Sequence, residues 1–270
     1  MRLQINFKTK VLPVYYRNLF ISLIKQAIKN VDTDYFNQLY HYGSKNNKAP
    51  KPFCFAGRFL FDRERFKENK GLFYPHGDVH LYLSSPDPAF IARLYNGLLG
   101  IKTFPYQNFE LERGKIIMLN ERNISENAVT FKTLSPILIE RVENGKERPI
   151  LPIDKKTRQP LPEDNPDFKR FLKELNYIGD KTLAGVKSAL AIETDEKGLK
   201  EELNFIPLKL RKEVIRHKVR ERNKEEKIYT FTCFSGQFKL IGHPEDLKLL
   251  YQLGIGLRRA QGFGMVEVLG

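Results

Sequence analysis

The chain has 270 residues, enough for one large domain or two ordinary ones, and 41% of them are hydrophobic, which excludes general disorder. Lys and Arg number 46 against 32 Asp and Glu, a net charge of +14, so a polyanion is the expected partner. A surface of balanced charge would need more acids than these 32.

In chain order, Leu3, Ile5 and Phe7 alternate with polar residues, the pattern of a half-buried strand over 2–9. Leu19, Leu23, Ile24, Ala27 and Ile28 share one face of a helix predicted over 15–30. Thr33 or Asp34 is expected to cap a short second helix that Gly43 ends. Residues 44–52 read as a polar, lysine-bearing loop, and residues 53–61 as a strand. Another strand follows around 78–84, a helix at 88–99 and strand pieces between 106 and 119. This order is βαββαβ, a ferredoxin-like unit.

A second set begins with a strand near 128–140 and a turn at Glu143-Asn-Gly-Lys. Residues 149–166 are proline-rich and connecting. Helical pieces are expected at 166–176 and 180–191, and strands near 203–219 and 227–241. A helix over 244–253 and a strand over 263–269 close a second βαββαβ set. The fold class expected is therefore α+β, two tandem ferredoxin-like (RRM-like) units, spanning 1–125 and 126–270.

Several function classes fall away. There is no run of eighteen apolar residues and no lipidation motif, so no membrane span is expected. The first residues alternate like a strand rather than a signal peptide, which points to a cytoplasmic protein. Cys54 and Cys233 each lie inside a predicted strand and read as buried thiols, with no Cys-x-x-Cys pair for zinc. His76 and His80 share a strand face but lack a third ligand, so neither a metal nor a cofactor is expected.

The densest signal is Gly254-Ile-Gly-Leu-Arg-Arg-Ala-Gln-Gly-Phe-Gly264. It is not a dinucleotide fingerprint, because Arg259 stands where the third glycine belongs and a strand follows; nor is it a phosphate loop, which needs Gly-Lys-Ser/Thr. Gln261-Gly-Phe-Gly-Met-Val-Glu-Val268 matches only half of the RNA-recognition signature. Glycines let an anion approach the main chain, and Arg258 and Arg259 add forked donors, so Gly254, Gly256, Gly262 and Gly264 are expected to line a phosphate-binding surface. A tight helix-to-strand connection is the alternative. Residues 208–224 hold eight Lys or Arg against two Glu. They read either as a solvated hairpin or as a basic ribbon on a nucleic-acid backbone, with Arg211, Arg216, Lys218 and Arg220 as contacts.

Three landmarks, in this order, give a resemblance: Lys51-Pro-Phe-Cys-Phe55 about ten residues after His41, Thr130-Phe-Lys-Thr-Leu-Ser-Pro-Ile137, and the terminal glycine loop. Together the chain resembles the CRISPR-associated endoribonucleases of the Cas six branch of the repeat-associated mysterious proteins. The resemblance implies tandem ferredoxin-like units and a metal-free cut of CRISPR repeat RNA in precursor crRNA, leaving a 2′,3′-cyclic phosphate and a 5′-hydroxyl. It implies that His41 transfers a proton and Lys51 stabilises charge, with Lys45 and Lys48 as alternatives for Lys51. Some members carry a tyrosine in the first helix where this chain has Lys25, so the general base is open; Lys25 and Tyr42 are the lesser candidates, and Tyr40 is assigned to packing. Further partners admitted by the resemblance are CRISPR effector-complex proteins and a second copy of the chain. A non-catalytic RNA-binding protein of the same fold, or a structural subunit of an RNA-guided complex, stands as the alternative.

Overall fold

The computed structural model describes residues 1–42, 45–46, 49–69, 71–154, 156–192, 197–220 and 226–269, without the side chains of 42, 45, 46, 219, 220 and 226. The first half contains β1 (Arg2–Lys8), β2 (Leu12–Pro13), α1 (Tyr16–Val31), α2 (Thr33–Tyr40), β3 (His41–Tyr42), β4 (Lys45–Asn46), β5 (Cys54–Phe61), α3 (Arg63–Glu68), β6 (Leu72–Phe73), β7 (Pro75–Ser84), α4 (Pro88–Leu99), β8 (Thr103–Tyr106) and β9 (Phe109–Leu119). The second contains β10 (Ala128–Thr133), β11 (Glu140–Glu143), β12 (Lys146–Pro149), α5 (Pro166–Ala189), β13 (Asn204–Arg220), β14 (Glu226–Ile241), α6 (Pro244–Leu253), a 3₁₀ turn (Arg259–Gln261) and β15 (Val266–Val268).

The first sheet runs β5-β7-β1-β9-β8, all antiparallel. The strands β5-β7-β1-β9 have the ferredoxin-like order, with β8 added at one edge. Alternation in β1 buries Leu3, Ile5 and Phe7 beneath α1, whose inward stripe is Leu19, Phe20, Leu23, Ile24, Ala27 and Ile28. The helices α1 and α4 cross closely: a Cβ on Gly97 would lie 1.9 Å from the Ala27 carbonyl oxygen. The second sheet runs β13-β14-β10-β15, the same order again, over a core containing Phe131, Phe171, Phe205, Phe234 and Phe238. Two tandem ferredoxin-like units thus make up the fold, and Ile124 already belongs to the second core.

Several local expectations needed correction. Asp32, not Thr33 or Asp34, caps α2; its Oδ1 accepts from the Tyr35 backbone N–H at 2.8 Å. Within the predicted loop at 44–52, Lys45 and Asn46 form β4 and pair with β3; α2 ends at Tyr40, and Gly43, the expected helix end, lies outside the described residues. The strand near 128–140 stops at Thr133, because the Leu134 and Ser135 N–H groups turn to the Met265 carbonyl and Pro136 has none to offer. After that break β11 and β12 pair through a two-residue turn, Asn144 and Gly145, both at positive φ. The predicted gap between 176 and 180 does not exist: α5 is one helix of 24 residues. Gly179 sits inside it, seating the Leu199 and Leu203 side chains 3.5 Å from where a Cβ would be. The small helix α3 and strand β6 were not anticipated. Among the described residues no helix is long and apolar enough to cross a membrane.

Candidate active site

Three elements converge at the C-terminal end of α2. His41 is its C-cap, in extended backbone, with its N–H bonded to the Asn37 carbonyl. The His41 ring is exposed on one side and lies 5.8 Å from the Phe36 ring. On α1, half-buried Lys25 places its Nζ 4.7 Å from the centre of the Tyr40 ring. On the segment before β5, the Lys51 Nζ lies 5.8 Å from the same ring and donates to the Ala49 carbonyl at 3.1 Å. The Tyr40 ring thus carries two ammonium groups on its flanks, a cation–π arrangement.

Electrostatics follow from this crowding. Burial, then the neighbouring charge of Lys25, brings the Lys51 ammonium down to about 8. Burial also lowers Lys25. Burial pushes the Tyr40 phenol upward, away from phenolate. Two confined ammonium groups next to an exposed imidazole make a site whose charge is relieved by a bound anion. Lys25 is therefore half-buried at the crossing of α1 and α2. The side chains of Tyr42 and Lys45, and Lys48 altogether, lie outside the described residues.

One contact near this site had no signal in the sequence. Pro50, one residue before Lys51, packs against α5 of the second unit, and a Cβ on Gly185 would lie 2.9 Å from its Cδ and Cγ. The backbone on one side of Lys51 is therefore seated on the other half of the molecule.

The glycine loop departs from the expectation of an open phosphate surface. Gly254, Gly256, Gly262 and Gly264 all have positive φ, and all are buried. A Cβ would lie 2.9 Å from the Cys54 Cβ at Gly254, 2.6 Å from the Leu138 carbonyl oxygen at Gly256, and 2.9 Å from the Phe55 ring at Gly262. The space that glycine opens is filled by the chain itself, in the joint between β5 and the second unit. Arg259 is only 6% exposed and gives its Nη1 to the Leu253 carbonyl at 3.0 Å; burial lowers it to about 10. Arg258, at φ 54, lies over the Phe231 ring at 4.5 Å and reaches Gln261 and Glu147 at 3.4 Å. Facing arginines from the first unit complete the joint. The Arg2 Nη2 donates to the Tyr251 and Val266 carbonyls at 2.9 and 2.5 Å, and the Arg17 Nε to the Gly262 carbonyl at 3.1 Å. These two were missed, since an isolated arginine in a strand or a first helical turn reads as surface. His217 is buried beside Phe231 and Phe263 and pushed down to about 4 by burial, Arg17 and Arg258, so it packs as a neutral ring.

The basic ribbon is real but uneven. The Arg211 side chain is 76% exposed and bridged to Glu213 at 2.9 Å, and Arg216 is exposed. Lys218 leans on α1: its Nζ lies 4.2 Å from the Tyr15 ring centre, and its carbonyl accepts from Asn18 at 2.7 Å. The Arg220 side chain lies outside the described residues. Between ribbon and first unit runs a cleft of about 710 Å³, with Arg17, Arg216, Tyr16, Phe61 and Phe73 in its walls.

Comparison with known proteins gives consistent results. A CRISPR-associated endoribonuclease Cas6 of Pyrococcus furiosus is 27% identical over 260 residues, 96% of this chain and 84% of that protein. A CRISPR-associated endoribonuclease Cas6 1 of Methanocaldococcus jannaschii is 26% identical over 276 residues, 98% of this chain and 92% of that one. Two solved structures share the fold over the whole of this chain. One, described as an RAMP protein binding different RNA substrates, has a TM-score of 0.70 at 21% identity and is itself fully covered. The other, from a Cas6-related gene of Pyrococcus furiosus, has 0.68 at 19%, with 98% of it covered. The family described as CRISPR associated protein Cas6, C-terminal, matches residues 119–268, more than half of the chain, and the chain belongs to that family.

Proposed function

We propose that this protein is an endoribonuclease that cuts CRISPR repeat RNA in precursor transcripts, without a metal, by attack of a ribose 2′-hydroxyl. Family membership and the names of the two relatives support the activity. The observation that carries the site is the Lys25–Tyr40–Lys51 cluster beside exposed His41. In this reading the 2′-oxygen attacks the adjacent phosphorus and loses its proton to a base. The phosphorane gathers negative charge, which Lys51 and Lys25 offset. The P–O5′ bond breaks as His41 delivers a proton to the leaving oxygen. The products are a 2′,3′-cyclic phosphate and a 5′-hydroxyl. We take 1–125 and 126–270 as the two units, the first carrying this cluster.

End analysis of a labelled repeat RNA tests the chemistry. Cyclic-phosphate ends are expected, with a rate unchanged in EDTA and no cutting when the nucleotide upstream of the break is 2′-deoxy. Cutting of the deoxy substrate would identify water as the nucleophile, and EDTA sensitivity would bring in a metal.

The depressed Lys51 sets a pH dependence. Its protonated form, the one that can offset charge, is lost as pH rises through about 8 rather than near an ordinary lysine value. The free enzyme's kcat/KM is therefore expected to fall on that limb. Lys51→Arg should carry the limb beyond about pH 10, since guanidinium keeps its proton. A limb that stays in place assigns it to another group.

A non-catalytic RNA-binding protein is the second reading, favoured by one observation. The tyrosine in the cluster, Tyr40, is held protonated by burial, and the first helix offers a lysine instead of a phenol. Binding of repeat RNA with no cleavage at long incubation would establish it.

A further inference from the structure

The helix capped by His41 has no fully buried residue. Eight residues is too short for a helix to hold itself in water, so external contacts must fix it. Tyr35, Phe36 and Leu39 lie partly buried on the first core, and a line of polar contacts fastens the other end. The Asp32 Oδ1 caps α2 at the Tyr35 N–H, while its Oδ2 accepts from the Arg93 Nε at 2.8 Å. The Arg93 guanidinium lies 4.3 Å from the Tyr35 ring centre and also donates to the Ala89 carbonyl at 3.3 Å. The Tyr35 hydroxyl donates to the Asp87 Oδ2 at 2.9 Å, and the Asp87 Oδ1 caps α4 at the Ala89 N–H, 2.8 Å away. Each aspartate thus caps a helix with one oxygen and grips a side chain of the other helix with its second.

We infer that Arg93, Asp32, Tyr35 and Asp87 form a clamp that sets the angle of α2 and thereby the place of His41; these are positioning residues, and the inference rests on the cleavage reading above. The lever is short and stiff. An eight-residue helix is about 12 Å long, so a tilt of about 5° at its clamped end moves His41 by about 1 Å. A displacement of about 1 Å at a reacting group can cost on the order of 10²-fold in rate. All four clamp residues sit at or near the N-terminal end of α2 or on α4, away from the Lys25–Tyr40–Lys51 cluster.

Arg93→Ala and Tyr35→Phe test the clamp in the full chain. The first removes the grip on Asp32 and the stack on Tyr35; the second removes only the hydroxyl. In Arg93→Ala, amide exchange across 33–41 should quicken and the single-turnover rate fall at least about 10-fold, with repeat-RNA affinity within about two-fold. Tyr35→Phe should fall between it and the parent, and Arg93→Lys should recover part of the loss. Unchanged exchange in 33–41 overturns the clamp. So does a rate loss matched by equal losses of affinity and melting temperature, which marks a merely structural contact. A parent protein that never cuts sinks the nuclease reading instead. In that case exchange together with the His41 ring resonance decides: a moved resonance upholds the clamp and an unmoved one rejects it.

Discussion

Replacing His41 with alanine is expected to lower the single-turnover cleavage rate by about 10²- to 10⁴-fold, the usual worth of a positioned proton-transfer group. RNA affinity should stay within about two-fold, because Lys25 and Lys51 supply the charge that draws the phosphate. The local structure makes this a clean experiment. His41 has φ −125 and ψ 153, extended backbone that alanine also adopts, and its cap bond to the Asn37 carbonyl comes from the main chain. Among the described residues the ring contact of its side chain is with Phe36. A fallen rate therefore cannot be charged to a melted α2, and circular dichroism with a melting curve checks that. Added imidazole should restore part of the activity if the lost group moved a proton. Cleavage within about three-fold of the parent would remove His41 from the chemistry.

Much of the fold was legible because it rests on local physics. Strands β1 and β5 were read from apolar alternation or an apolar run. Helices α4 and α6 were placed at 88–99 and 244–253, where they lie, and each opens on a proline, whose fixed φ suits a first helical position. Failures came where a residue's meaning depends on what lies across from it. The expected gap after 176 holds Gly179, yet within α5 that residue faces Leu199 and Leu203, whose packing keeps the helix continuous. The glycine loop shows the same thing at larger scale. Four glycines and two arginines have one sequence whether the hollow is filled by a phosphate or by Cys54, Phe55 and the Leu138 carbonyl. At the candidate site, His41, Lys51 and Lys25 were nominated by resemblance. The sharing of the Tyr40 ring by two lysines was invisible, because it depends on how α1 crosses α2 and on the return of the chain at Lys51.

Gly264→Ala is expected to cost about 3–5 kcal/mol of stability and lower the melting temperature by about 10 °C. The backbone at Gly264 has φ +73, which an alanine adopts at a cost of about 1–2 kcal/mol. The new Cβ would also lie 2.1 Å from the Ile255 carbonyl oxygen and 3.0 Å from its carbon. These atoms cannot swing aside as a side chain would: the Ile255 N–H bonds the Gly264 carbonyl at 2.8 Å, and the Gly264 N–H bonds the Pro136 carbonyl at 2.8 Å. Gly145→Ala is the control, with the same φ of +73 and nothing within 4 Å of the added carbon, so only the strain remains and the melting temperature should fall by about 2–4 °C. An anion cradle open to solvent predicts no such gap: Gly264→Ala would melt like Gly145→Ala and lose its RNA affinity with the fold intact. Thermal unfolding of the two variants, with a binding curve for each, therefore decides whether the loop holds the protein's own two halves together or holds the nucleic acid. The contacts of Gly254 with Cys54 and of Gly262 with Phe55, both across the two units, favour the first.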